Sequence, residues 1–529
     1  MDAPWFDKIQ PIFKQARKDL YYPPIVKVEP AQIETMEITF SGPKYRLLVG
    51  REITEKFSSQ ALLGIFHHEL NHWVKHPYDV RTVILEYCWL GETTEKDEIR
   101  NLFDDVIVNL DLLINKGLRE VAQAYRELPA ASKVDRLLRA FYSRVTGIDF
   151  GGVTLEAELQ ERIHSLSTID FLDLSNVRLK NHIRRFAKVI GDLLDEKSEL
   201  PFICVALRDF GAENITRAME SIAGEVLPQE YQRIAAEVVE VLNSDKLSVE
   251  RRSGGPGISP GEKLRISYLE RPDISWYRTR ARRYSVSIES LIKQGSLYPD
   301  QITDFELDDS IDTFNPIESY GKVLPSLAKK HELKEFERYG EISVPDAVII
   351  IDSSGSMPNP EEVVSYAVLG GFSLARNYLA LGARVGVINF SNSNLELVPT
   401  RNRQRVYETL KIYQGHGTTL HIDDLDQYVR SMDAGGRDYI LITDAGIENM
   451  GEVVDYFSEV KGRLTIIWLK SGTEFEEQFR ENYQLFRERL PGSVTFAEVA
   501  HEKDIPRIAV GKTFGEVYGS DQEIIRKES

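Results

Sequence analysis

The chain is poor in cysteine. Among its 529 residues only Cys88 and Cys204 carry a thiol, each lies between apolar neighbours, and no CxxC spacing occurs. This usage does not support a disulfide framework. We therefore expect two buried thiols in a protein from a reducing compartment.

Signals for export, membrane insertion and polyanion binding are also missing. The opening stretch "MDAPWFDKIQ" has neither the basic nor the apolar region of a signal peptide, and no apolar run approaches the length of a membrane span. Positive charge is in deficit, because the formal net charge is -18. Repulsion from phosphate backbones disfavours nucleic acid as a partner. We expect a soluble cytoplasmic protein that binds a cation or another protein.

The size of the chain predicts several domains. At 529 residues with 42 % hydrophobic residues, about two to four cores can form. The clearest boundary is "RSGGPGISPGE" at 252–262, where glycine, serine and proline replace periodic patterns, and we take 252–263 as a linker or loop. A basic stretch at 276–284, "WYRTRARRY", is either a solvated helix face paired with acids or a docking patch for an acidic partner.

Before the linker, helices predominate. Residues 44–50 alternate like a strand, and 58–75 predict a helix that a serine caps and that stops before Pro77. A second helix is expected at 97–114, where apolar residues recur with helical spacing. Residues 120–250 are mostly helical in pattern, with no motif that carries chemistry.

After the linker, the last part of the chain alternates strands and helices. Short apolar runs at 346–352, 383–391, 437–444 and 463–470 are typical of strands buried on both faces. Helical stretches between them predict a parallel sheet with helices on both sides. Ligands of such sheets bind at the carboxyl ends of the strands.

Polar residues cluster where that rule places a site. The first run ends in "DSSGSM" with Asp352, Ser354 and Ser356, a later loop "GHGTTL" contains Thr418, and "ITDAG" contains Asp444. Carboxylate and hydroxyl oxygens are ligands suited to Mg²⁺. Each cluster alone is typical of a turn, but together they predict a magnesium site. No nucleophile with an adjacent base accompanies them, so this part is expected to bind and not to catalyse.

This arrangement resembles a von Willebrand factor A (VWA) domain with its metal-ion-dependent adhesion site, the DxSxS…T…D pattern, over roughly residues 344 to 505. The resemblance implies that Ser354, Ser356 and Thr418 coordinate the cation directly, with Asp352 and Asp444 acting directly or through water. It also implies an open position for a carboxylate of a partner protein.

A second candidate site is "FHHELNHWVKH" at 66–76. His68 and His72, at i and i+4, share one helix face and can bind the same zinc ion, and Glu69 would then be the catalytic residue that polarises water. Chance occurrence of HExxH competes with this interpretation, but apolar flanks that would bury the helix favour it. His67 and His76 have no assigned role and are expected at the surface.

A catalytic zinc needs a third protein ligand. On the second helix Asp104 falls on a charged face with Asp97, Arg100 and Asp111, which we expect to be solvated. Asp105 falls on a mixed stripe beside the apolar arc, together with Asn101, Val108, Asn109 and Leu112. That stripe is either a row facing a partly buried metal or a set of boundary polar residues.

"HELNH" followed by "DVIVN" at 105–109 looks like the metallopeptidase-type domain that precedes a VWA-like domain in certain prokaryotic proteins, over roughly residues 20 to 120. The resemblance implies that Asp105 is the third zinc ligand and that His68, Glu69 and His72 have the usual zincin roles. Prokaryotic VWA proteins of this kind often partner with MoxR-type AAA+ ATPases. The chain has no P-loop, so such an ATPase would act in trans.

The expected fold is multidomain α/β: a zincin-like α+β domain at 1–120, a mostly helical region at 121–251, a mixed connecting region at 264–343, and a doubly wound VWA domain with a terminal extension at 344–529. Two functions stay open. One is an adaptor that captures a protein carboxylate through Mg²⁺ and carries a zinc site. The other is a zinc peptidase whose substrates the VWA domain recruits.

Overall fold

The computed structural model describes residues 4–511 except 26, 32–35, 42–43, 78, 94, 131, 153–155, 195–209, 211, 244–268, 270, 290, 293–296, 307–312, 322–327, 336–341, 433–435 and 471–475. The chain divides into two compact units, Met1–Trp276 and Tyr277–Ser529. The expected linker at 252–263 and Cys204 lie outside the described residues.

The first unit contains a small sheet. Its strands are β1 (Val28–Ala31), β2 (Met36–Ser41) and β3 (Lys44–Gly50), in the order β1-β3-β2. β1 runs parallel to β3, whereas β2 and β3 are antiparallel. β3 coincides with the strand expected at 44–50.

The other elements described in this unit are helices. The helices are α1 (Pro4–Asp19), α2 (Arg51–Lys56), α3 (Ser59–Val74), α4 (Val80–Leu90), α5 (Lys96–Leu110), α6 (Val121–Glu127), α7 (Lys133–Thr146), α8 (Ala157–Ser167), α9 (Asn176–Ile190), α10 (Ala212–Ala223) and α11 (Pro228–Asn243). A π-helical turn, Asp111–Asn115, extends α5. The helical pattern expected after residue 120 is therefore confirmed for the described part of that region.

Side-chain caps fix where the two central helices begin. Ser58 caps α3 by accepting a hydrogen bond from the Ala61 amide, as the sequence predicted, and α3 ends at Val74 before Pro77. Asp79 caps α4 by accepting from the Thr82 amide over 2.7 Å. These caps start α3 and α4 at defined residues.

The second unit is built on a six-stranded sheet of order β11-β10-β9-β12-β13-β14. Its strands are β9 (Asp346–Asp352), β10 (Val385–Phe390), β11 (Asn394–Thr400), β12 (Arg437–Thr443), β13 (Arg463–Leu469) and β14 (Thr495–Val499). All neighbours are parallel except β10 and β11, which form an antiparallel pair at one edge. The mainly parallel sheet is thus confirmed.

Helices cover both faces of this sheet. They are α13 (Tyr366–Ala380), α14 (Arg403–Lys411), α15 (Ile422–Arg430), α16 (Met450–Glu459) and α17 (Glu476–Arg489). Val348 and Ile350 of β9 share a buried cluster with Val453 of α16 and Phe486 of α17. On the other face Gly371 of α13 lies against Ile351. Alternate residues of one strand therefore face opposite helical layers, which explains the unbroken apolar run at 346–352.

Short pairings complete this unit. The short strands are β4 (Ser287–Ile288), β5 (Leu291–Ile292), β6 (Leu297–Asp304), β7 (Lys329–Glu335), β8 (Ile342–Ser343) and β15 (Ala509–Val510), and they pair as β15-β4, β5-β8 and β6-β7. Strands β4 to β8, with a helix at Pro272–Ala281, make the described part of the region at 264–343 mixed in character, as expected.

The basic stretch at 276–284 is only partly solvated, with Arg282 and Arg283 exposed. It begins inside helix α12 (Pro272–Ala281), where Trp276 and Tyr277 are fully buried. The expected pairing with an acid occurs at Arg280, whose Nη1 lies 2.7 Å from Oε2 of Glu502. The aromatic residues within this basic segment could have indicated a buried helix, but the prediction considered only the charges.

Cys88 is a buried free thiol, as predicted.

Candidate metal centres

The first candidate centre lies between α3 and α5. Nδ2 of Asn71 on α3 donates to the Val108 carbonyl over 3.2 Å and to Oδ2 of Asp111 over 3.1 Å. Ile65 and Leu70 of α3 are fully buried beside this contact. The apolar residues that flank the HELNH segment are therefore buried in the core, and α3 presents its histidines to α5.

Three ligand-type atoms meet there. Nε2 of His68 and Nε2 of His72 are 3.1 Å apart, and each lies 3.2 Å from Oδ1 of Asp105. Four ligands arranged tetrahedrally at normal zinc bond lengths stand about 3.3 Å from one another. The donor set, two imidazoles and one carboxylate, and its spacing both fit a zinc ion.

Burial and neighbouring charges shift the pKa values of the same three groups. Burial lowers the pKa of His68, although the Asp105 carboxylate opposes it. For His72, burial is outweighed by Asp105, which raises the pKa. Burial would raise the pKa of Asp105, but the two imidazoles hold it below its ordinary value. Asp105 is therefore ionised at neutral pH, the form in which a carboxylate binds metal.

Both imidazoles are oriented by hydrogen bonds on their far side. Nδ1 of His68 lies 2.8 Å from Oδ1 of Asn109, whose Nδ2 donates to the hydroxyls of Tyr125 and Tyr142 over 3.2 and 3.1 Å. Because the Asn109 amide nitrogen is engaged as a donor, its oxygen accepts from Nδ1 of His68. Nε2 then carries the lone pair that faces Asp105.

His72 is held in the same way. Its Nδ1 lies 2.9 Å from the carbonyl oxygen of His76, so Nδ1 donates and Nε2 faces the centre. The sequence left Asn109 undecided between a boundary residue and part of a ligand row. It lies one turn beyond Asp105 and orients a candidate ligand, which that i, i+4 spacing could have indicated.

Glu69 is the residue expected to handle a proton. It is buried, and its negative charge raises the pKa of His72, so it stands close to the candidate ligands. A carboxylate beside the centre is what a general base there requires.

The expected surface position of His67 is wrong. Its side chain is 1 % exposed, with Nε2 3.1 Å from Oδ2 of Asp19 and Nδ1 3.6 Å from Oε2 of Glu120. The two carboxylates come from α1 and from the segment before α6. Carboxylates that are distant in sequence offset the cost of burying this imidazole. A local sequence pattern does not reveal such partners.

The expected surface position of His76 and the solvated face around Asp104 are also wrong. His76 is 1 % exposed, Asp104 2 % and Arg100 fully buried. Nη1 of Arg100 lies 2.6 Å from Oδ2 of Asp104, and Nε2 of His76 lies 3.2 Å from Oδ1 of the same residue. Asp111 is buried as well. Opposite charges neutralise one another here, so the face packs inward.

The second candidate centre lies at the carboxyl ends of β9 and β12. These strands are parallel neighbours in which Ile351 pairs with Ile442. Asp352 therefore ends one strand beside Thr443, which ends the next, and Asp444 follows directly. Adjacent parallel strands thus bring together two carboxylates that are far apart in sequence.

Hydrogen bonds fix the first of these carboxylates. Oδ1 of Asp352 accepts from the Ser354 amide over 3.0 Å, and Oδ2 accepts from the Thr443 hydroxyl over 2.7 Å. The hydroxyl oxygens of Ser354 and Ser356 are 3.1 Å apart. Oδ1 of Asp444 accepts from the Gly446 amide over 2.8 Å. Oxygen donors from two loops converge, as a hard cation requires.

The Thr418 loop is tied to the same edge. The Gly355 amide donates to the His416 carbonyl over 2.7 Å, and the Gly415 amide donates to the Ser353 carbonyl over 2.9 Å. Thr418 itself is 7 % exposed. These backbone bonds hold the loop that carries Thr418 against the loop that carries Ser354 and Ser356.

The two aspartates oppose each other's charge. Burial and the charge of Asp444 raise the pKa of Asp352 to about 7. Burial also raises the pKa of Asp444, although the Ser356 hydroxyl opposes it. Two buried carboxylates that repel each other gain from a shared cation. The donor set of carboxylates and hydroxyls fits Mg²⁺.

Sequence reasoning missed two residues of this centre. The hydroxyl of Thr443 holds Asp352, and Glu448 braces the Thr418 loop, because its amide donates to the Thr418 carbonyl over 2.8 Å. Thr443 directly precedes Asp444 at a predicted strand end, which was a usable signal. Nothing in the local sequence marked Glu448.

Comparison with known proteins gives little guidance. No family model and no curated protein matches the chain. Among solved structures, it is similar to an aerotolerance-related membrane protein from Bacteroides fragilis NCTC 9343 with multiple mutations to serines, at 14 % identity and a TM-score of 0.23, covering 35 % of this chain and 100 % of that one. A likeness of that size carries no argument about function.

Within the described part of the chain, no helix combines the length and the apolar character needed to cross a bilayer.

Proposed function

We propose that this chain is a metal-dependent protein-binding protein. Its second unit acts as a VWA-type domain, in which Asp352, Ser354, Ser356, Thr418 and Asp444 hold a Mg²⁺ ion that receives a carboxylate from a protein partner. The first unit carries a zinc site formed by His68, His72 and Asp105. The protein acts as an adaptor or substrate recruiter, with a MoxR-type AAA+ ATPase as its partner in trans.

The observation that supports this proposal is the edge built by β9 and β12. Two buried carboxylates with raised pKa values stand beside the paired hydroxyls of Ser354 and Ser356. A divalent cation would neutralise that repulsion and keep positions open for water or an added carboxylate. The hydroxyls of Thr443 and Ser356 pair with Asp352 and Asp444, which are themselves candidate cation ligands, so binding fits the site better than catalysis.

The test measures binding between the purified full chain and a purified MoxR-type AAA+ ATPase from the same genome, with Mg²⁺ present. Because the ATPase also needs Mg²⁺, the comparison rests on a variant and not on chelation. Ser354→Ala removes one candidate hydroxyl ligand and is expected to weaken binding at least about 10-fold.

Ser458→Ala is the matched control, since Ser458 is exposed on α16 and its hydroxyl donates to the Asp455 carbonyl. It should bind like the wild type. Equal binding by the wild type and Ser354→Ala would remove the adhesion site from the interaction. No binding by the wild type would remove this partner.

A second function is favoured by the first unit alone. The spacing of His68, His72 and Asp105 with buried Glu69 beside them fits a zinc-dependent peptidase. A zinc ion held there would supply Lewis acidity. Glu69 would take the proton of an attacking water and later return it to the leaving amine.

Cleavage of casein by the full chain, with and without the ATPase, tests the peptidase. Glu69→Gln keeps the three candidate ligands and removes the base, so it should retain zinc and lose cleavage. If the wild type carries zinc and cleaves nothing under either condition, the adaptor function stands alone.

A further inference from the structure

A second group of ligand-type side chains lies behind the first. His76 follows α3, Glu86 lies on α4 and Asp104 lies on α5. Nε2 of His76 is 2.6 Å from Oε1 of Glu86 and 3.2 Å from Oδ1 of Asp104. One ligand atom from each residue lies within 4.8 Å of the others, and all three side chains are at most 2 % exposed.

Hydrogen bonding does not account for these contacts. A single Nε2 carries at most one hydrogen, so His76 cannot donate fully to both carboxylates. Oε2 of Glu86 is buried and has no hydrogen-bond partner among the described residues. Burying an ionised carboxylate oxygen without a donor costs free energy, so we expect this oxygen to have a further positive partner.

Glu86 has fewer partners of opposite charge than Asp104 has. Arg100 donates to Oδ2 of Asp104 over 2.6 Å and to Oδ1 of Asn101, and so it compensates Asp104 at the oxygen that His76 does not contact. Glu86 lies within ion-pair distance of His76, and the charge of Arg100 also acts on it.

We propose that His76, Glu86 and Asp104 bind a second divalent transition-metal cation, with zinc as the best-fitting ion, in a buried structural site. One imidazole and two carboxylates are a nitrogen and oxygen set suited to zinc. With neutral His76, the two carboxylates offset the charge of the ion, and the positive charge of Arg100 remains beside Asp104. Arg100 then acts as the outer partner that orients Asp104.

The site would clamp the helices behind the first centre. His76 accepts from Nδ1 of His72 through its carbonyl oxygen, and Asp104 directly precedes Asp105. A cation that joins the end of α3 to α4 and α5 would therefore fix both candidate ligands from behind. Full burial allows no open position for a substrate, so the role is structural.

A metal-free ion network is the alternative. Protonated His76 and Arg100 would balance Glu86 and Asp104 without any ion. It leaves Oε2 of Glu86 without a donor and gives one N–H two acceptors, which is why the metal site is preferred. The two differ in how many zinc ions the protein holds.

The experiment counts zinc in the purified full chain after loading with zinc alone and dialysis against a weak chelator that removes surface ions. Elemental analysis should give about two zinc ions per wild-type chain, one per Glu86→Gln chain and one per His72→Ala chain. Glu92→Gln is the matched control, because Glu92 is exposed just after α4, and it should keep both ions.

The outcomes separate this site from the first. One zinc in the wild type that survives Glu86→Gln and is lost in His72→Ala overturns the second site and keeps the first. One zinc lost only in Glu86→Gln supports the second site and removes the first. No zinc in the wild type overturns both. The wild-type count needs no variant to fold, so unfolding of Glu86→Gln does not block the test.

Discussion

Nδ1 of His68 lies 2.8 Å from Oδ1 of Asn109, and this contact sets which nitrogen of the histidine faces Asp105. Asn109 is itself fixed by the two tyrosine hydroxyls of Tyr125 and Tyr142. The orientation of a candidate metal ligand therefore depends on how α6 and α7 pack, because these helices carry the two tyrosines. The HExxH pattern alone supplies the ligands but not their orientation.

Asn109→Leu should weaken zinc binding at His68 by about 10- to 100-fold, because the ring loses the acceptor that holds its tautomer. Competition with a zinc-binding dye measures the affinity, with the Glu86→Gln background used to isolate this site. Asn181→Leu, an exposed position on α9, is the control and should leave affinity unchanged. Unchanged affinity in Asn109→Leu would show that the contact does not tune the ligand.

The sequence predicted the elements of this site because their signals are local. The serine cap and apolar spacing placed α3, and the apolar run at 346–352 coincides with β9. The burial of His67 and His76 was missed because it depends on carboxylates from other helices. Asp19, for example, is 48 residues from His67 along the chain. The polarity of a histidine by itself predicts an exposed position. Pairing with carboxylates from other helices allows the side chain to be buried instead.

The strand order of the second unit shows the same limit. Alternation of strands and helices predicted a mostly parallel sheet, but not the antiparallel edge strand β11, whose exposed residues break the apolar pattern. Asp352 and Asp444 were placed correctly at strand ends. That β9 and β12 are neighbours, which brings them together, follows from the topology alone.

Gly64→Ala should destabilise the first unit. A Cβ at Gly64 would lie 2.3 Å from the Glu120 carbonyl, a backbone group that cannot turn aside, so α3 would have to move from α6. We expect a loss of about 1–3 kcal/mol, typical of overpacking. Hydrogen-exchange protection of the α3 amides measures it.

Gly191→Ala is the matched control for that change, since a Cβ there meets nothing within 4 Å and its φ of -58° suits any residue. It should leave protection of α3 intact. Equal protection in the two variants would mean that α3 and α6 can separate without cost.

Thr443→Val should weaken Mg²⁺ binding by the second unit. The substitution keeps the shape of the side chain but removes the hydroxyl that donates to Oδ2 of Asp352 over 2.7 Å. An unheld carboxylate loses its orientation, and a fall of about 10- to 100-fold in affinity is typical of such losses. Calorimetric titration with Mg²⁺ measures it. Thr443→Ser keeps the hydroxyl and should bind like the wild type, and a similar fall in both variants would assign the effect to packing.

Adding Mg²⁺ should stabilise the second unit, because a cation at the β9 and β12 edge removes the repulsion between Asp352 and Asp444 only in the folded chain. At a free concentration 100 times the dissociation constant, the expected gain is about 2.7 kcal/mol in the free energy of unfolding. Hydrogen exchange of the β9 and β12 amides, with and without Mg²⁺, resolves this unit from the first. Ser354→Ala should reduce the gain, whereas Ser458→Ala should not. An equal gain in all three chains would mean that Mg²⁺ acts elsewhere on an acidic surface and not at this edge.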